Sequence, residues 1–349
     1  MLSARTLNRT LLQRQHLLER VAMAPLAMTR HLLGLQAQDV LPPYVSLWSR
    51  LRDFDPTEIS DALSERTAVR VLLMRGTIHL VAADDALGLR PLVQGMLDKI
   101  TKNSALSKEA AGVARDDLAA AGRAALAAGS LSLADLGVAL ADTFPDVAPR
   151  ALANTVREML PLVQVPPRGR WKEPGGVVYA TAETWLGAEL SAVPDIHEVV
   201  RRYLNAFGPA TPADVTAWSR VTGMKQVFDA MADELVTYRD ENGKALFDLE
   251  GLPIVDGDVP APARLLGKYD NLWLSHADRS RVSAPEKRKQ WMGLNGGMGS
   301  TIFVDGMLEG LWRTTDAGRV KVELFRKLNK DERQQLDGEV AGVEAFLSR

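Results

Sequence analysis

Three times along the chain, a helix-capping residue is followed three positions later by a carboxylate, then by amphipathic helical sequence, then by a stretch that reads as two paired strands. The helix starts are Asp55-Pro56-Thr57-Glu58, Ser132-Leu133-Ala134-Asp135 and Thr211-Pro212-Ala213-Asp214. In the first, proline takes the first helical position, where its missing N–H has no partner to lose. The strand stretches cover 69–82, 162–180 and 235–249. Asn242-Gly243, set between Val236 and Tyr238 on one side and Ala245 and Phe247 on the other, is a strong hairpin signal. Arg75-Gly76 divides the first stretch, and Pro166-Pro167-Arg168-Gly169 breaks the second ahead of Val177-Val178-Tyr179. A helix-then-wing pattern repeated in this way predicts three tandem winged-helix units.

The rest of the chain fits around that repeat. An alanine-rich stretch over 107–128, closed by Gly129-Ser130, reads as a connecting helix. Beyond about residue 260 the texture changes to short strands over 300–304, 307–314 and 319–325, separated by Asp305-Gly306 and Asp316-Ala317-Gly318. That is a meander, and a terminal helix over 330–348 follows it. The expected class is α+β. The expected domains are residues 1–100, 101–190, 191–262 and 263–349, since 349 residues exceed what one core of roughly 250–300 serves.

Composition narrows the function classes. No apolar run approaches the roughly 18 residues that span a bilayer, and Arg5 and Arg9 follow Met1 too closely for a signal-peptide core. With no cysteine there is no disulfide framework or thiolate metal site, and the five histidines show no metal-binding spacing. A cytoplasmic protein with no metal, no cofactor and no obligate protein partner is the simplest expectation. The net charge of −2 conceals segregation. Residues 1–30 carry five arginines and one glutamate, and 264–330 carry 13 basic and 7 acidic side chains. Residues 231–260 carry 8 acidic and 2 basic. Such a distribution suits a basic groove on an acidic body, or else solvated faces that differ in charge.

Near the N-terminus, a helix over 3–20 puts Leu7, Leu11 and Leu18 on one face and Arg5 and Arg9 on another, for packing or for contact with a DNA backbone. A second helix starts near Pro25 and stops at Gly34. Past the stop come Gln36 and Gln38, which in extended chain would point the same way and could face one target. By composition the same residues also read as a plain polar loop.

From here the sequence resembles a specific family. Leu7-Asn8-Arg9, Arg14-Gln15, Gly34-Leu35-Gln36-Ala37-Gln38 and Met74-Arg75-Gly76-Thr77-Ile78-His79 look like the AlkZ/YcaQ winged-helix DNA glycosylases. So do 165–171, 208–214, Tyr269-Asp270-Asn271-Leu272, 275–281 and Gly310-Leu311-Trp312-Arg313, in order along nearly the whole chain. The resemblance implies three tandem winged helices followed by a small C-terminal β-barrel-like domain, shaped around double-stranded DNA. It also implies a monofunctional DNA glycosylase of base-excision repair. Such an enzyme removes N7-alkylated purines left by alkylation damage, and some members of the family unhook interstrand crosslinks.

On that resemblance the catalytic Gln-x-Gln motif falls on Gln36 and Gln38; a sister branch has aspartate at the second position. Asp39 is either the true base, an orienting group for Gln38, or a turn residue ahead of Pro42-Pro43. His79 is either an active-site neighbour or a packed strand residue. The expected DNA contacts are Arg5, Arg9, Arg75, Arg168, Arg279, Arg281, Lys287 and Arg288, with Trp171 and Trp291 beside basic residues. The competing reading is a non-catalytic winged-helix DNA-binding or regulatory protein.

Overall fold

The computed structural model describes residues 1–191, 195–288 and 299–349. By its contacts the chain forms two compact units, and the division is not sequential. One unit comprises Asp55–Ile196 with Ser219–Val221; the other is assembled from Met1–Phe54, His197–Trp218 and Thr222–Arg349. Strands and helices are mixed throughout.

In the first of these units, the predicted hairpins are present. Ala68–Leu72 pairs antiparallel with Ile78–Ala82, and Leu162–Gln164 with Tyr179–Thr181. The two hairpins also join edge to edge, Arg70 opposite Gln164 and Val71 opposite Val163, so they share one sheet. Both strands of the first hairpin are buried along their whole length, which explains runs that are apolar except at Arg70 and His79. Arg70, buried inside that run, meets Gln164 across the strands, Nε donating to Oε1 at 3.2 Å. Beside the sheet the helices Arg115–Ala127, Leu133–Ala141 and Pro149–Met159 close on a core of Leu118, Leu126, Leu136, Leu140, Leu152 and Val156. Gly137 admits the backbone of Pro149: a Cβ there would lie 2.6 Å from the Pro149 carbonyl.

The second unit carries the third hairpin, Leu235–Arg239 with Ala245–Leu249, turned at Gly243 with φ of 77°. Its C-terminal part is a four-stranded antiparallel sheet. Arg264–Leu266 pairs with Ser300–Val304, which pairs with Met307–Thr314, which pairs with Val320–Leu324. Among the described residues these four strands do not close into a barrel. The helix Lys330–Ser348 packs against it through Leu336 and Val343, onto Leu265, Ile302, Val304 and Trp312. That helix also does for its sheet what closure of a barrel would do, covering apolar side chains that would otherwise meet water.

Two of the three cap signals hold in detail, and at the third the helix Thr57–Ser64 starts behind Pro56, which makes no side-chain cap bond. Ser132 Oγ accepts from the Asp135 N–H at 3.1 Å. Thr211 and Asp214 are reciprocal, Thr211 Oγ1 accepting from the Asp214 N–H and Asp214 Oδ2 from the Thr211 N–H. Asp55 Oδ1 accepts from the Thr57 N–H at 2.9 Å. The first helix is shorter than its apolar pattern suggests, running Ala4–Arg14. Past it, Arg20 leaves the helix to lie over Trp48 and to pair with Glu339.

Candidate active site at the glutamine segment

The helix Pro25–His31 ends in two consecutive left-handed residues, Leu33 with φ of 53° and Gly34 with φ of 96°. Glycine adopts this backbone freely and leucine rarely does; the Gly34 N–H donates to the Thr29 carbonyl at 2.9 Å to close the turn locally, and the turn has outside support as well. Asn271 supplies it: its Nδ2 donates to the Leu32 carbonyl at 3.1 Å and to the Gly34 carbonyl at 2.8 Å. From this pinned turn the chain runs into a two-residue extended stretch, Leu35–Gln36.

Gln36 is 7% exposed, whereas Gln38 and Asp39 are exposed. The expected extended run thus stops at Gln36, and the chain bends over 38–40. The cause lies downstream, where the helix Leu41–Trp48 opens on Pro42-Pro43 and the chain must turn to enter it. The two glutamines therefore sit at different depths: Gln36 within the protein body, Gln38 at its surface.

A strip from residues 267–271 lies alongside this segment. Gly267 approaches so closely that a Cβ there would stand 2.8 Å from the Pro42 carbonyl. Lys268 Nζ lies 3.4 Å from Asp39 Oδ2. The carboxylate of Asp270 accepts from both terminal nitrogens of Arg50, at 2.7 and 2.8 Å, and from Ser46 Oγ. Arg50 is itself tied to Gln15 Oε1 at 2.8 Å and to the Ser46 carbonyl at 2.9 Å. Burial alone would raise the pKa of Asp270, but the Arg50 cation and these hydrogen bonds outweigh it and hold the group ionised below its usual range. Beside Asp39 a cavity of about 470 Å³ opens, lined by Pro42, Val45, Lys268, Trp312 and Glu323 among others.

Two amides beside one carboxylate make a site of limited acid–base strength. An amide oxygen accepts a hydrogen bond from water and presents a dipole to a developing positive charge, without the basicity of a carboxylate. Among the described residues no group of three or more His, Asp or Glu side chains is arranged to hold a metal. Among the same residues, no helix is long and apolar enough to cross a membrane.

The other sequence-predicted residues divide between the units. His79 and Arg75 belong to the unit that carries the first hairpin, as does Arg168, which is half-buried. The His79 ring is 1% exposed, its Nε2 3.1 Å from Arg75 Nη2 and its Nδ1 2.9 Å from the Thr77 carbonyl. Burial, reinforced by the Arg75 cation, pushes its pKa down to about 3. Trp171 anchors its own backbone, its N–H donating to Ser60 Oγ at 2.8 Å, and Lys172 lies over its ring.

Several expected DNA contacts have internal partners instead. Arg9 is 1% exposed, with Nε donating to the Val259 carbonyl at 2.6 Å and an ion pair to Asp305. Arg281 is buried and donates to the Pro209 carbonyl at 3.1 Å. Both are fold-holding cations, because a guanidinium enclosed by protein acceptors cannot reach a phosphate. Arg5 is half exposed but pairs with Asp305 at 2.8 Å, and Lys287 pairs with Glu309. Arg279 lies half-buried over Trp273, 4.9 Å from the ring centre. Arg288 ends the short helix Pro285–Arg288, and Trp291 lies outside the described residues.

Sequence reading missed Lys268, Asp270 and Asn271 as partners of the glutamine segment. Tyr269-Asp270-Asn271-Leu272 stood out as a motif of the family resemblance but not as a neighbour of the glutamines, because residues more than two hundred positions away in sequence carry no local signal.

A family model described as "DNA glycosylase AlkZ-like" matches residues 29–346. Among solved structures, DNA glycosylase AlkZ of Streptomyces sahachiroi matches over 100% of this chain and 98% of its own, with a TM-score of 0.82 and 22% sequence identity. At that identity the likeness is one of fold. No curated protein matches the sequence significantly.

Proposed function

The chain belongs to the AlkZ-like family of DNA glycosylases, and from that premise we propose that it hydrolyses the N-glycosidic bond of N7-alkylated purines in duplex DNA, with Gln36 and Gln38 at the reacting sugar. What supports this reading is the placement of the Gln36-Ala37-Gln38 segment. A buried amide and an exposed amide follow a turn fixed by Asn271, beside the Asp39–Lys268 pair.

Alkylation at N7 makes the purine cationic, so the base departs without a general acid. As the C1′–N9 bond breaks, its electron pair passes to the base and neutralises the cation, while positive charge grows on the sugar. Water adds to C1′ and loses a proton to solvent. The protein must place that water and stabilise the sugar, which amide dipoles do modestly and without attacking intact purines. Each arm of an N7-linked interstrand crosslink is the same leaving group, so unhooking falls within the same chemistry. Water, not an amine, is the nucleophile, and the enzyme is monofunctional.

The test is single-turnover release of 7-methylguanine with enzyme in excess, paired with affinity for an undamaged duplex. Gln36→Ala and Gln38→Ala should each lower the rate by on the order of 10²–10³-fold and leave affinity nearly intact. Gln38→Asp should retain much of the rate, since a carboxylate serves the same water. Both alanine variants working at the parent rate would remove the glutamines from catalysis. A parent protein that binds DNA but releases no base would be a binding protein.

A further inference from the structure

We propose that Asn271 is the positioning residue of the glutamine segment, setting through its two carbonyl contacts where Gln36 and Gln38 stand against the sugar. The inference rests on the glutamine reading above and deepens it. Asn271 is 1% exposed, and its amide bridges the Leu32 and Gly34 carbonyls, which flank the left-handed Leu33. An amide nitrogen carries two hydrogens, and here both are spent on one turn. Gly34 is the second residue before Gln36, so a shift in its carbonyl moves Gln36 directly.

Asn271 is itself held. It opens the helix Asn271–Leu274, and Asp270 caps that helix by accepting from the Leu272 N–H at 2.9 Å. The same Asp270 carboxylate binds Arg50 and Ser46, and Ser46 lies on the helix Leu41–Trp48 that leaves the glutamine segment. Two adjacent residues thus secure both ends of the segment, Asn271 at its entry and Asp270 at its exit. A site held from only one end would let Gln38 wander with the bend over 38–40. Asn271 acts through the backbone, its two donors going to the Leu32 and Gly34 carbonyls.

The experiment uses the full chain with Asn271→Leu, which keeps the side-chain size and removes both donors. Its single-turnover excision rate should fall by about 10²-fold, the scale of a 1 Å misplacement, with duplex affinity little changed. A merely structural residue would not separate rate from affinity in this way. The sharper readout is a double-mutant cycle: added to Gln38→Ala, the same substitution should cost far less than it costs the parent. Equal losses in both backgrounds, or Asn271→Leu excising at the parent rate, would overturn the proposal. If Asn271→Leu does not fold, Gly34→Ala perturbs the same turn from the other side and should show the same split of rate from affinity. A Gly34→Ala variant at the parent rate counts against the proposal equally. Should Gln38→Ala itself cleave at the parent rate, the glutamine reading falls first; should it be slow while Asn271→Leu stays fast, the positioning role alone falls.

Discussion

Arg75 Nη2 lies 3.1 Å from His79 Nε2, and the other ring nitrogen lies 2.9 Å from the Thr77 carbonyl. The two contacts fix the tautomer. Nδ1–H donates to Thr77, and Nε2 accepts from the guanidinium. His79 is therefore a neutral ring that seats Arg75, whose own backbone is left-handed at φ of 58°.

A pH dependence follows. His79 and His276 are both buried, and burial lowers each to about 3. Between that value and the ordinary value near 6.5, the unfolded chain binds protons that the folded chain does not. Stability is then complete above about pH 6.5 and declines as pH falls toward 3, by up to about 1.4 kcal/mol per unit for each ring. Thermal melts over pH 7 to 4 should show Tm dropping from about pH 6 downward. His79→Gln should flatten part of that slope; an unchanged slope would mean that the ring is not buried neutral.

Folding brings Lys268 to the glutamine segment, where it is paired with Asp39. If water is the nucleophile, borohydride should trap no covalent complex between the enzyme and DNA bearing an abasic site. Lys268→Ala should keep most of the excision rate, as should Asp39→Asn. A trapped complex that disappears with Lys268→Ala would make the enzyme a lyase.

Binding should separate the arginines by burial. Arg168→Gln should make the salt dependence of duplex affinity shallower, by about one in the log–log slope, as for a lost phosphate contact. Arg281→Gln should instead leave that slope alone and cost about 1–3 kcal/mol of stability, because the Pro209 carbonyl and the nearby Asp214 lose their cation. Salt titrations and melts of both variants decide this, and the reverse pattern would refute the assignment.

The Arg50–Asp270 pair offers a stability test. Asp270→Leu alone leaves a fully buried guanidinium without its counter-ion, a loss of about 3–5 kcal/mol. Arg50→Met together with Asp270→Leu should cost less than Asp270→Leu alone. Denaturant unfolding of the two variants checks it; a double variant less stable than the single one would show that the polar network is worth more than its charges.

Much of the architecture could be read locally. Ser132 and Thr211 cap where their spacing said they would, and Asn242-Gly243 turns its hairpin. These signals are legible because each is settled within four residues by backbone geometry. The merging of the first two hairpins into one sheet was not, since Arg70 facing Gln164 is a long-range pairing between strands of equal apolar character. The covering of the C-terminal sheet by the helix Lys330–Ser348 was hidden for a similar reason: a meander has the same sequence pattern whether it closes or is covered by a helix. At the site, Gln36 and Gln38 stood out as residues, but their unequal burial depends on Pro42-Pro43 and on the 267–271 strip. Arg9 and Arg281 misled because a basic residue near a basic stretch looks exposed until Asp305 and Pro209 are found beside it.

The bond from Asn271 to the Gly34 carbonyl joins residues 237 positions apart. Asn271 follows the glutamines in the chain, so on the reading proposed above a nascent chain carries the Gln36-Ala37-Gln38 segment before the residue that supports its turn is made. A product cut short before residue 271 would keep the whole Gln36-Ala37-Gln38 motif and lack the means to aim it.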